Sequence, residues 1–148
     1  MIRLYVASSW RNQEYPAVVE RLRAEGFEVL DWRNPRPGDH GFQWSSIDPH
    51  WQQWTVPQYI QALEHPRATH GAGSDYAFMV RADACVLLLP CGRSAHLEAG
   101  WFIGQGKPTY IIPASGGEPE LMYALADAVC QNLDVAIRRL KLKFSEVV

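Results

Sequence analysis

An uninterrupted apolar run, Ala84-Cys85-Val86-Leu87-Leu88-Leu89, constrains this chain more than any other feature. It is bounded by Asp83 and Pro90, and a run this short between such boundaries predicts a strand buried on both faces. Strands of that kind belong to parallel sheets covered by helices on either side. The run leads directly into Pro90-Cys91-Gly92-Arg93-Ser94-Ala95-His96-Leu97-Glu98-Ala99-Gly100. Here Ser94 offers a helix cap, and Glu98 stands four residues later on the same helical face. An acidic side chain one turn into a helix, just past a buried strand, lies where open α/β sheets place their ligands. A lone glutamate there would do no more than complement the helix dipole. The question is whether Glu98 is alone.

The rest of the chain repeats the alternation of strand and helix. Ile2 to Ala7 reads as an opening strand, and Ser8 to Asn12 as the loop after it. A helix is expected from about Glu14 to Glu25, stopped by Gly26, and a second strand over Phe27 to Asp31. This β-α-β start implies a parallel pair with a right-handed crossover. Trp32 to about Ile47 is loop-like, and four of the six tryptophans fall between Trp32 and Trp54. Thr55-Val56-Pro57-Gln58 has capping-box spacing and starts a helix that ends at His65-Pro66. So long an aromatic insertion fits a lid or binding loop better than a plain connection. His70 to Asp75 opens a further helix through Tyr76, Met79 and Ala82. After the Glu98 helix come a strand at Thr109 to Ile112, a helix near Pro119-Glu120-Leu121-Met122, a short strand at Ala128 to Cys130 and a closing helix through Leu133, Ile137 and Leu140. The expected fold is α/β: a flavodoxin-like, doubly wound sheet of about five parallel strands, with an aromatic-rich insertion after the second. The chain reads as one domain, 1–148, with the insertion at about 32–66.

Composition narrows the partners. With 148 residues, 47% apolar and 20% charged, the chain suits one globular domain. A net charge of −2 gives no electrostatic pull toward a nucleic acid polymer or an anionic membrane. No apolar run approaches membrane-spanning length and no signal-peptide pattern opens the chain, so a cytoplasmic location is expected. Cys85, Cys91 and Cys130 have no zinc-like spacing, and the five histidines show no ligand spacing. No metal and no cofactor is implied. Gly71-Ala72-Gly73 lacks the ending of a P-loop and does not follow a strand. Cys91 lacks the arginine that a phosphatase thiolate needs six positions later, where Leu97 stands.

Topology sorts the polar residues. Loops leaving the strands of a parallel sheet, and the helix starts after them, share one edge: Ser8 to Asn12, Trp32 onward, Cys91 to Glu98 and Ala114 to Met122. Asp75, taken as near the start of its helix, belongs to that edge; Asp83 belongs to the other and reads as structural. Two carboxylates can divide the roles of nucleophile and acid at a glycosidic bond. A helix N-terminus favours an ionised Glu98, and burial among Tyr76, Phe78 and the insertion would let Asp75 keep a proton. The plain alternative is that Asp75 caps its helix after Ser74. Tyr5, Trp10, Trp32, Phe42, Trp44, Trp51 and Trp54 are candidates to stack on an aromatic ligand, though most such rings serve packing. His96, on a different face from Glu98, reads as a surface or interface residue.

Ser74-Asp75, then Asp83, the buried strand and Gly92-Arg93-Ser94-Ala95-His96-Leu97-Glu98-Ala99-Gly100 together resemble the nucleoside 2-deoxyribosyltransferase superfamily, which includes nucleotide N-glycosidases. The resemblance implies Glu98 as nucleophile on the anomeric carbon and Asp75 as the group that assists the departing base. Ser9-Trp10-Arg11 is similar to a first-loop Ser-x-Arg that helps hold a 5′-phosphate, to which Arg93 and Ser94 would add donors. Tyr5 and Gly92 complete the implied substrate site. Met122 lies in a segment similar to one that reaches into a neighbouring subunit, which implies a homodimer or higher oligomer. Where transferases often carry Asp and hydrolases Ser, this chain has Gly92; in place of the transferases' cross-subunit Asn it has Glu120. The expected partner is a small-molecule nucleoside or nucleotide. Two further readings stay open: a non-catalytic nucleotide-binding sensor on the same fold, and a TIR-like NAD hydrolase.

Overall fold

The buried run is the centre of the sheet. The computed structural model describes residues 1–145. Along the chain it has β1 (Arg3–Ala7), α1 (Tyr15–Ala24), β2 (Glu28–Val29), α2 (Val56–Ala62), α3 (Pro66–Arg81), β3 (Ala84–Leu88), α4 (Arg93–Gly104), β4 (Thr109–Ile112), β5 (Ala128–Val129) and α5 (Leu133–Ser145). The strands pair in the order β2-β1-β3-β4-β5, every pair parallel. This is the flavodoxin-like order expected from the sequence. Two compact units form: Met1–Leu30 with the chain from Arg81 onward, and Asp31–Val80, inserted between β2 and β3.

The first unit holds the sheet. All of β3 is buried, as is β1 after Arg3, and Leu4 to Ala7 run in register with Ala84 to Leu87. α1 carries the chain from β1 toward one edge and α4 carries it from β3 toward the other. Right-handed crossovers therefore put these helices on opposite faces. α5 joins the α1 face, where Arg21 reaches Asp134 at 2.8 Å and Lys141 pairs with Glu25. These pairs are solvent-exposed and screened, so they add little to stability. α4 buries Ala95, Ala99 and Phe102 against the sheet. At the amino edge Asp83 accepts the Arg3 amide at 2.8 Å, the structural role expected of it. β2 is shorter than the expected Phe27 to Asp31, because Asp31 accepts from the Arg33 amide at 2.9 Å and turns the chain away.

In the second unit two short 3-10 turns, Trp44–Ser46 and Trp51–Gln53, precede α2. The expected capping box is formed: the Gln58 amide donates to Thr55 Oγ1 and the Thr55 amide to Gln58 Oε1, at 3.3 and 2.7 Å. Trp44 is the hub of the aromatic cluster, meeting Phe42, Trp54 and Tyr59 edge-on at 4.8, 5.6 and 5.9 Å. α3 departs from expectation. It begins at Pro66 rather than near His70, and Gly71 to Gly73 do not interrupt it. Gly71 is there for close approach, since a Cβ would lie 2.7 Å from Phe42 Cβ. Asp75 accordingly sits within the helix and cannot be its cap; neighbouring Ser74 accepts from Arg36 at 3.1 Å. No helix among the described residues is long and apolar enough to cross a membrane.

Candidate functional site

The connections that leave β1 and β3 run to opposite edges of the sheet, so the carboxyl ends of these two strands are its switch point, where open α/β sheets place their ligands. Tyr5 lies in register with Cys85, and its ring meets Phe102 of α4 at 5.7 Å. Its side chain therefore stands on the α4 face. Glu98 lies one turn before Phe102, half-buried, and accepts a hydrogen bond from the Tyr5 hydroxyl. Tyr5 is 1% exposed, so this donor is fixed by packing before any ligand arrives. Burial, and then the Glu98 charge, push the Cys85 thiol up and the Cys91 thiol up to about 11. Neither is a thiolate at neutral pH, which agrees with setting aside a cysteine nucleophile.

A buried polar clamp holds the first loop. Ser8 Oγ donates to the Leu88 carbonyl at 2.8 Å, Asn12 Nδ2 donates to Ser8 Oγ at 3.1 Å, and Asn12 Oδ1 accepts the Glu14 amide at 3.0 Å. The clamp presents Ser9, Trp10 and Arg11 at the loop tip, with Trp10 and Arg11 exposed. The sequence pointed to Ser9 and Arg11 but not to Ser8 and Asn12; their four-residue spacing across a strand-to-helix turn was the available signal.

At the start of α4 the expected cap moves. Gly92, not Ser94, is the N-cap, with extended backbone and no side-chain hydrogen bond; Ser94 is second in the helix and exposed, beside exposed Arg93. His96, expected at the surface or in an interface, is already engaged within the chain. It is half-buried, with Nδ1 2.7 Å from the Gly92 carbonyl and Nε2 2.8 Å from the Tyr123 hydroxyl. The helix expected near Pro119 to Met122 begins at Leu121 and is a short 3-10 turn rather than an α-helix. Gly116 and Gly117 take positive φ, the chain stays extended through Glu120, and a 3-10 turn spans Leu121–Leu125. Leu121, Met122 and Leu125 there are 83%, 62% and 59% exposed.

Asp75 belongs to the second unit, where it lines a cavity of about 490 Å³ with Trp32, Phe42, Asp39 and His70. Burial first, then the Asp39 charge, push its carboxyl up to about 6. Asp39 moves the other way: the Gly41 amide, His70 and Arg36 hold it below the usual carboxylate range. Two nearby carboxyls therefore differ in protonation below about pH 6, where Asp75 keeps its proton and Asp39 is ionised, the pattern that separates an acid from its neighbours. Of the candidate stacking rings, Trp44 and Trp54 are engaged with each other, Trp32 and Phe42 wall this cavity, and Trp10 and Trp51 are exposed. Among the described residues no group of three His, Cys, Asp or Glu side chains is placed to hold a metal ion.

Compared with protein-family models and with curated proteins, the sequence matches none. Solved structures do share its fold. A 2-deoxyribosyltransferase from Bacillus psychrosaccharolyticus is 17% identical over 91% of this chain and 90% of that one, with a TM-score of 0.57. The CMP N-glycosidase BcmB of Clostridium botulinum is 13% identical over 94% and 98%, at 0.51. A conserved protein from Enterococcus faecalis V583 is 13% identical over 97% and 99%, at 0.61. The resemblance to the nucleoside 2-deoxyribosyltransferase superfamily, read from a few short motifs, therefore holds at the level of the fold over nearly the whole chain.

Proposed function

We propose that this protein is an enzyme that cleaves, or transfers across, the N-glycosidic bond of a nucleoside or nucleoside 5′-monophosphate. The observation that carries this is the half-buried Glu98 carboxyl held by the Tyr5 hydroxyl at the switch point of the sheet. Glu98 attacks the anomeric carbon as the bond to the base breaks, and the bonding pair leaves on the base nitrogen. Asp75 delivers the proton that neutralises the departing base, a task suited to a carboxyl raised to about 6. Water or a second base then attacks the glycosyl ester and restores the Glu98 carboxylate. Ser9, Trp10, Arg11, Gly92, Arg93 and Ser94 bind the sugar and its 5′-phosphate, using a guanidinium and the amides at the uncapped start of α4. The exposed Leu121 and Met122 suit a homo-oligomer in which Met122 completes a neighbour's site.

The test is release of free base from a panel of nucleosides, 5′-monophosphates and NAD, comparing the native chain with Glu98→Ala. Release abolished by the substitution is expected. Tight binding with no release by either protein refutes the enzyme and leaves a nucleotide sensor. Arg11→Ala should penalise monophosphates far more than nucleosides; equal losses would remove Arg11 from the phosphate site.

A further inference from the structure

We propose that His96 is a positioning residue: it fixes the Gly92 carbonyl, and with it the first turn of α4, in a register set by the Tyr123 hydroxyl. The functional part of this rests on the assignment of Glu98 as nucleophile. α4 starts on a glycine and has no side-chain cap, the interaction that normally defines where a helix begins. His96 supplies the missing constraint from inside the helix. Its Nδ1 lies 2.7 Å from the Gly92 oxygen, and a carbonyl only accepts, so Nδ1 carries the proton. The neutral ring then offers a lone pair at Nε2, and the Tyr123 hydroxyl donates to it at 2.8 Å. Burial pushes the Tyr123 hydroxyl up, which keeps it a donor. The two rings stack with centroids 5.7 Å apart and planes 17° from parallel, and the Cys91 sulfur closes one side at 3.8 Å from Nδ1.

Two anchors therefore bracket the Glu98 carboxyl. Tyr5 of β1 holds the carboxyl itself, and the His96–Tyr123 bridge holds the turn from which its helix departs. Removing the second anchor leaves Glu98 in place chemically but frees the helix start to shift. A displacement of about 1 Å in a reacting group can cost as much as about 100-fold in rate.

The experiment compares His96→Leu, His96→Asn and Tyr123→Phe in the full chain. An asparagine amide reaches the position of Nδ1 and can donate to the Gly92 carbonyl; leucine cannot. With a substrate the native chain turns over, kcat should fall at least about 10-fold in His96→Leu and less than about 3-fold in His96→Asn, with KM moving less than kcat and melting temperatures matched. Tyr123→Phe, which leaves the Gly92 bond in place, should lose no more than His96→Asn. Equal kcat losses in the leucine and asparagine variants, or losses that track melting temperature, overturn the positioning role. Two readouts need no turnover, so failure of the glycosidic reading stays distinguishable. Long-range nitrogen–proton NMR should find the Nδ1–H tautomer at His96, and an Nε2–H tautomer overturns the bridge. Amide exchange at residues 96–98 should quicken in His96→Leu but not in His96→Asn; equal exchange in both overturns the constraint on the helix start.

Discussion

Two glycines of α3 offer a matched pair of substitutions. Gly71 is buried and Gly73 is exposed, both are inside the same helix, and alanine gains about 1 kcal/mol of helix propensity at either. At Gly73 an added Cβ meets nothing within 4 Å. At Gly71 it lies 2.7 Å from Phe42 Cβ, 3.0 Å from Cγ and 3.4 Å from Cδ2. Phe42 Cβ is bonded to the backbone, so no rotamer change relieves the overlap and the chain at Phe42 must move. Overpacking of this kind costs about 1–3 kcal/mol. Gly73→Ala should therefore be stabilised by about 1 kcal/mol, while Gly71→Ala ranges from neutral to about 2 kcal/mol less stable. The difference isolates the clash because the propensity gain cancels. Urea unfolding of both variants, with m-values compared to confirm the same transition, measures it; thermal midpoints should separate by several degrees. Because Phe42 walls the cavity and Gly71 lies one turn before Asp75, the Asp75 titration should also move in Gly71→Ala and stay put in Gly73→Ala. Equal stabilisation by the two alanines would refute the close approach of Phe42.

Asp75 makes stability depend on pH. Its carboxyl titrates at about 6 in the fold against an ordinary 3.8, so the folded chain holds a proton that the unfolded chain releases between those values. The native chain should lose stability as pH rises through that window, whereas Asp75→Asn lacks this slope and is the more stable protein above it; urea unfolding at the two ends of the window decides, and identical slopes refute the shift. If Asp75 delivers the proton, base release should also decline as pH rises through about 6. Tyr5→Phe keeps the ring against Phe102 and removes the donor to Glu98; a hydrogen bond to a charged group contributes about 1.5–3 kcal/mol, so the variant should lose about that much stability in urea unfolding, and turnover should drop about 10- to 100-fold as the carboxyl loses its anchor. Thr55→Ala removes one half of the capping box and should destabilise α2 by about 1 kcal/mol, read as faster amide exchange over residues 56–62 with β3 unaffected.

Where a residue's fate depends on its neighbours in sequence, the chain could be read directly. β3 and β4 fall where their apolar runs stand, because continuous burial leaves no other use for such residues. The Thr55–Gln58 box was visible for the same reason: both partners lie in one turn. Glu98 could be placed one turn into a helix beyond β3 because that strand and helix are contiguous. Misplacements came where a distant side chain decides. Gly71 and Gly73 look like the opening of a helix until Phe42 is brought over Gly71, which makes that position a packing site inside one. His96 looks like a surface or interface residue until Tyr123 arrives from beyond β4. Ser94 lost the cap because Gly92 already had the extended backbone a cap requires. The difference between Asp75 and Asp39 was only half visible, since burial of one could be guessed while the Gly41, His70 and Arg36 partners of the other could not.

The parallel register of β1 on β3 joins Leu4 to Ala84 and carries with it the Ser8–Leu88 bond across 80 positions of chain. No local hairpin or single crossover can assemble that pair; the ends must find each other across the whole inserted unit. Closing such a loop is an entropic barrier met before β3 gains its burial, so folding should be slow for a protein of this size. The same logarithmic cost makes insertion length nearly free at equilibrium, where halving or doubling the loop changes closure by only about 0.6 kcal/mol. The segment between β2 and β3 is thus a place where this sheet can exchange or enlarge its inserted unit at little cost to stability, with the expense appearing in the time the chain takes to fold.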